Sequence, residues 1–150
     1  MSLSPERLDR FARHIVLPEI GGAGQIALAK KHLVLVGLGG IGSPALQYLA
    51  GAGIGKLTLV DDDRVDASNL QRQTLFNERD IGHGKAVIAK RWVTGFDPEL
   101  DVQISDRRIT VANAPDLVIG ADLVLDGTDN FATRLAVSDA CVAERVPLLS

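Results

Sequence analysis

The stretch "VGLGGIG" (residues 36–42) constrains this chain more than any other. It sets Gly37, Gly39 and Gly42 in a GxGxxG spacing, directly after the apolar run "HLVLV" (32–36) and ahead of a helix-like segment. In that setting the first glycine permits a tight turn, the second lets backbone approach a phosphate, and the third allows close helix–strand packing. The helix beyond presents unpaired N–H groups and the positive end of its dipole to an anion. Pro44 is no obstacle there, because first-turn N–H groups have no helical acceptor. Asp61 ends the next apolar run, "KLTLV" (56–60), where an acidic side chain would hold ribose hydroxyls. The loop alone does not name its ligand, since dinucleotides and ATP-type nucleotides can share this grip.

Beyond the loop, short apolar runs alternate with helical patterns. This predicts a doubly wound, mostly parallel Rossmann-like α/β sheet with right-handed crossovers. Strands are expected over 32–36, 56–60, 101–105, 122–126 and 146–150. Helices are expected from the glycine loop to about Ala52, over 84–95, around Pro115 behind an Asn113 cap, and over 130–144. On the 84–95 helix, Ala89, Trp92, Val93 and Phe96 should face inward. An N-terminal helical arm precedes the alternation. Ser4 and Pro5 open a helix reaching residue 16, with Leu8, Phe11, Ala12 and Ile15 on one face. "GGAG" (21–24) reads as a break before a short helix over "QIALAKK" (25–31).

A chain of 150 residues is long enough for one domain with a real core. Its net charge of −3, with no basic run, argues against nucleic acid as a general partner. The single cysteine, Cys141, excludes an internal disulfide, and no signal-like or membrane-length apolar run occurs. A soluble cytoplasmic protein is therefore expected. Cys141 shares a helix with Val137 and reads as core. His14, His32 and His83 show no metal-ligand spacing. The chain stops at an apolar strand whose open parallel edge invites pairing, so it is expected to be the front portion of a longer protein.

Charged residues around the crevice separate the nucleotide classes. A triphosphate brings more charge than a hydride carrier, and Arg72 in "SNLQRQTLF" and Lys85 after "GHG" can answer it. Arginine offers a planar fork to phosphate oxygens, lysine a point charge. "LDGTDN" (125–130) sets Asp126 at a strand end with Asp129 just beyond. A carboxylate there suits Mg²⁺, although Asp129 also reads as the N-cap of the next helix. Of the trio Asp61, Asp62 and Asp63, only Asp61 is assigned to the site.

These segments together resemble the N-terminal adenylating part of the MoeB/ThiF family, related to the ubiquitin-activating enzymes. The resemblance is carried by "RHIVL" (13–17), "VGLGGIGSPALQYLAGAGIGKLTLVDDD" (36–63), "SNLQRQ" (68–73), "GHGKA" (82–86) and "DGTDN" (126–130). It implies an ATP-binding adenylation domain over 1–150, with Gly37, Gly39, Gly40 and Gly42 cradling the nucleotide. Ser68, Asn69, Leu70, Gln71, Arg72 and Gln73 would line the site, with Asn69 and Arg72 on the phosphates and Gln73 organising them. Lys85 would hold phosphates, Asp61 the ribose, and Asp129 the magnesium and reacting centre, beside Asn130. Arg13 would reach into the ATP site of the partner subunit of a homodimer. Arg72, Lys85, Asp129 and Arg13 are then the catalytic group.

The reaction so implied is adenylylation of the C-terminal glycine of a small ubiquitin-like sulfur-carrier protein, in molybdopterin or thiamine biosynthesis. The family's zinc-binding CxxC pairs and reactive cysteine lie downstream. No CxxC occurs here, so zinc is expected only with such a segment. Two rivals stand beside this reading. An NAD-binding oxidoreductase domain gives Arg72, Lys85 and Asp129 no task. A truncated, non-catalytic nucleotide-binding or dimerisation module would need no turnover.

Overall fold

Leucine and valine alternate along "HLVLV", and the sheet sorts them to opposite faces, as the twofold period of a strand requires. In the computed structural model, which describes residues 3–150, Leu33 and Leu35 of β1 (His32–Val36) join Leu57 and Leu59 of β2 (Lys56–Val60). Against them pack Leu46 and Ala50 of α4 (Gly42–Ala52) and Ile88, Ala89 and Val93 of α5 (Lys85–Phe96). The other face carries Val34, Val36 and Val60 with Val124 of β4 (Leu123–Asp126). It is covered by Ala114 and Val118 of α6 (Ala114–Val118) and by Ala136, Val137, Ala140 and Cys141 of α7 (Phe131–Glu144). Small residues on α7 let it lie close to a valine surface.

β3 (Asp101–Ser105) and β5 (Leu148–Leu149) complete an all-parallel sheet of order β3-β2-β1-β4-β5. Val36 pairs with Val60 and Asp126, and Val60 with Ser105, so four strands finish in line. The chain runs outward from β1 through β2 to β3, then returns to β4 on the other side of β1. That reversal opens a crevice at the carboxyl ends of the strands. The doubly wound reading holds.

The arm departs from its expected form. It divides at Phe11 into α1 (Pro5–Arg10) and α2 (Ala12–Ile15), because Phe11 leaves helical geometry to bury its ring to 2% exposure. Leu8 and Ala12 of the expected apolar stripe remain exposed. "GGAG" does not break the chain but opens α3 (Gly21–Leu28). Tertiary anchoring overrides glycine's low propensity here. Gln25, fully buried, donates from Nε2 to the Ala52 carbonyl at 2.9 Å and turns its Oε1 to His14 Nδ1 at 3.1 Å. That orientation requires the His14 proton to sit on Nδ1. Arg7 clamps Asp97, 1% exposed, through contacts of 2.9 and 2.7 Å, and Arg10 donates to the Phe96 carbonyl at 2.8 Å.

Phe96 does not face inward. It is 40% exposed, stacked on Trp92 at 5.0 Å and covered by the Arg10 guanidinium at 4.9 Å. Asn113 does not cap α6 with its side chain, which instead accepts from Thr110 N at 2.8 Å and donates to the Arg108 carbonyl at 3.0 Å. β5 is two residues long where five were expected. Among the described residues no helix is long and apolar enough to cross a membrane.

Candidate nucleotide-binding site

Gly37 leaves β1 at φ +83, a left-handed conformation that favours glycine, and its N–H donates to Val60 at 2.8 Å. Five residues on, a Cβ on Gly42 would fall 1.7 Å from the Gly37 carbonyl oxygen, so helix and loop touch through backbone alone. Gly127, beyond β4, closes the same contact, with its own Cβ position 3.2 Å from the Gly42 nitrogen. Gly42 therefore serves packing and does not line the crevice, contrary to its expected place in the cradle. Gly37, Gly39 and Gly40 do line it, around a cavity of about 440 Å³.

Asp61 ties the glycine loop to β2. Its Oδ2 accepts from Leu38 N at 2.7 Å and its Oδ1 from Asp63 N at 2.8 Å. Burial holds its carboxyl above the usual carboxylate range, against the opposing pull of those N–H groups and of Lys85. Lys85 opens α5 and is 5% exposed, yet its Nζ lies a long 3.5 Å from Asp63, whose side chain is 71% exposed. A buried ammonium so loosely paired keeps donors for an anionic ligand.

The segment after β2 turns through Ala67–Asn69, locked by a reciprocal cap. Asp66 accepts from Ser68 N at 2.8 Å, while Asn69 Oδ1 accepts from Asp66 N at 3.2 Å. The Asn69 amide nitrogen has no partner among the described residues. Arg72 donates to the Ser68 carbonyl at 3.1 Å, and its stem runs past Gly40. Gln73 is buried beneath the loop, and its Oε1 has no hydrogen-bond partner among the described residues. The turn brings Asn69, Arg72 and Gln73 to the crevice and turns Ser68, Leu70 and Gln71 away. Leu70 instead packs on the leucine core, and Ser68 and Gln71 face outward.

At the end of β4, Asp126 Oδ1 accepts from Thr128 N at 2.9 Å and Thr128 Oγ1 at 2.7 Å, shaping the loop that carries Asp129. Asn130, not Asp129, caps α7: its Oδ1 accepts from Thr133 N at 3.0 Å. Asp129 is exposed, lines the crevice and has no side-chain partner among the described residues. Arg13, on α2, lies outside the crevice of its own chain. Residues with no assigned role in the sequence reading also line it, above all Asp62, Asp63, Thr128, Arg107, Arg108 and Ile109. The one signal for the arginines was their place directly after a strand, on the crevice side.

Residues 11–150 match the ThiF family. The chain belongs to it. A SAMP-activating enzyme E1 of Haloferax volcanii is 44% identical over 149 residues, covering 99% of this chain and 55% of that protein. A sulfur carrier protein ThiS adenylyltransferase of Escherichia coli is 44% identical over 141 residues, covering 94% and 56%. Among solved structures, an E. coli tRNA N6-threonylcarbamoyladenosine dehydratase in complex with ATP superposes with a TM-score of 0.91. Its identity is 30%, over 99% of this chain and 60% of that one. This ThiF-family chain thus spans just over half the length of these two curated relatives.

Proposed function

We propose that the crevice binds Mg·ATP and activates the C-terminal glycine of a small ubiquitin-like sulfur-carrier protein as an acyl adenylate. One observation carries this: Arg72, Lys85 and Asp129 open onto the same crevice as the glycine loop and Asp61. A carboxylate oxygen attacks the α-phosphorus, the bond to the bridging oxygen breaks, and pyrophosphate leaves. Both reactants are anions, so fixed cations must offset their repulsion and stabilise the charge that gathers in the transition state. Lys85 and Arg72 supply that charge, and the loop N–H groups orient the phosphates. No general base is needed, because a carboxylate is already ionised at neutral pH.

Asp129 fits Mg²⁺, which takes one or two carboxylates together with phosphate oxygens, and its carboxylate lines the crevice with no partner among the described residues. When bound, the ion would neutralise phosphate charge and polarise the phosphorus under attack. The carrier protein as substrate draws support from the names of the relatives, and thiamine or molybdopterin biosynthesis from two of them, the ThiS adenylyltransferase and a probable molybdopterin-synthase adenylyltransferase of Porphyra purpurea. The NAD reading leaves the crevice cations idle. Calorimetric titration decides between them: Mg·ATP should bind more tightly than NAD, and the reverse order would end the ATP reading.

Arg13 is proposed to act across a homodimer, since its own crevice lacks it. In protein carrying the downstream half of its relatives, mixing Arg13→Ala with Lys85→Ala chains should recover part of the activity that each lacks. The heterodimer has one site with both cations. A mixture as inactive as its parents would mean that Arg13 works within its own subunit or not at all.

A further inference from the structure

The geometry points to Arg107 and Arg108 as a clamp on the face of the nucleobase, held in place by Asn113. This rests on the nucleotide reading above and adds a recognition element to it. The direction of the ligand follows from strand order. Phosphates belong on the glycine loop after β1, and the ribose belongs on Asp61 after β2. Neighbouring strands lie about 4.8 Å apart, so the loop after β3 stands roughly 10 Å from the phosphate cradle. That is the reach of a ribose and its base. Asp61 N donates to the Ser105 carbonyl at 3.1 Å, so the two loops leave the sheet side by side.

The wall at that end has an apolar part and a cationic part. Ile109 is buried in the valine-face core yet borders the crevice. Arg107 and Arg108 are exposed, line the same crevice, and have no side-chain partner among the described residues. A guanidinium plane with no carboxylate to answer is suited to lie over an aromatic face. Such a contact is indifferent to which base presents the face, because every base has one. Asn113 makes the wall rigid. Its amide bridges Arg108 O and Thr110 N across the turn, at 3.0 and 2.8 Å. It is a positioning residue, acting on the base only through the loop it braces.

Calorimetric titration of this chain with Mg·ATP, Mg·GTP and inorganic tripolyphosphate, which has neither ribose nor base, separates the possible roles. The double variant Arg107→Ala/Arg108→Ala should bind both nucleotides about tenfold more weakly, with tripolyphosphate affinity unchanged. Arg107→Lys/Arg108→Lys, which keeps the charge but loses the plane, should restore little of that loss. Asn113→Ala should weaken the nucleotides alone, by a smaller factor, with melting temperatures recorded on the same samples. Equal losses for tripolyphosphate, or full rescue by lysine, would make the arginines phosphate ligands and overturn the clamp. A loss confined to one base would indicate edge recognition and overturn it as well. Wild-type protein that binds tripolyphosphate but gains nothing from the nucleoside would remove the nucleotide reading itself.

Discussion

Replacing Asp129 by alanine should lower carrier-dependent ATP–pyrophosphate exchange about 10²-fold or more, the scale of one lost electrostatic stabiliser. The measurement belongs in protein carrying the downstream half of its relatives. Nucleotide affinity should change far less, because the glycine loop, Asp61, Arg72 and Lys85 all remain. A side chain whose loss harms the transition state more than the ground state is one that acts where charge develops. The capping arrangement makes the test clean. Asn130 holds the N-terminus of α7 through Thr133 N, so removing Asp129 leaves the helix cap intact. Asn130→Ala should instead lower stability by about 1 kcal/mol through loss of that cap, read as a lower melting temperature. An Asp129→Ala protein that exchanges at the wild-type rate would remove the aspartate from the chemistry.

Gly42→Ala should be among the most damaging single methyl groups added to this chain. Its Cβ would lie 1.7 Å from the Gly37 carbonyl, an overlap between backbones that no rotamer relieves. Overpacking of this kind costs roughly 3 kcal/mol or more, lowering the melting temperature of a domain this size by roughly 6–12 °C. Gly40→Ala offers the contrast. Its Cβ would meet only the Arg72 side chain at 3.7 Å, so stability should hold within about 0.5 kcal/mol. The added methyl would still enter the crevice, and Mg·ATP binding should weaken. Equal melting temperatures for the two variants would mean that the helix–loop contact relaxes freely.

What the sequence made legible follows the physics of each segment. "HLVLVGLGGIG" announced β1, its turn and α4 because a doubly buried strand and a backbone-only contact leave few residue choices. Asp61, Arg72 and Lys85 were legible because their spacing from that loop fixes which strand ends they follow. The arm departs from its helical period, which suggests an inward face: of the expected stripe Leu8, Phe11, Ala12 and Ile15, Phe11 alone is fully buried. Phe96 was misplaced for a related reason, being aromatic and in phase with Trp92 but covered by Arg10 in place of the core. "GGAG" looked like punctuation because its helix depends on the buried Gln25 bridge between distant segments. Ser68, Leu70 and Gln71 were assigned with their neighbours because a motif names a segment, whereas a tight turn divides it. Arg107 and Arg108 carry no motif. Only the register of β3 against β2 brings them beside Asp61.

The meeting of Gly127 with Gly42 has a bearing on how such a site can be altered. The glycine loop and the loop that presents Asp129 abut through main chain where Gly127 meets Gly42, and the Thr128 side chain packs against Gly37 beside that contact. The spacing from the glycine loop to the Asp129 carboxylate is thus set by two backbones at once, with Thr128 as the side chain wedged beside them. Substituting residues elsewhere around the crevice changes charge or access and leaves that span as it is. A redesign that needs a different span must exchange both loops together, as one transplantable piece.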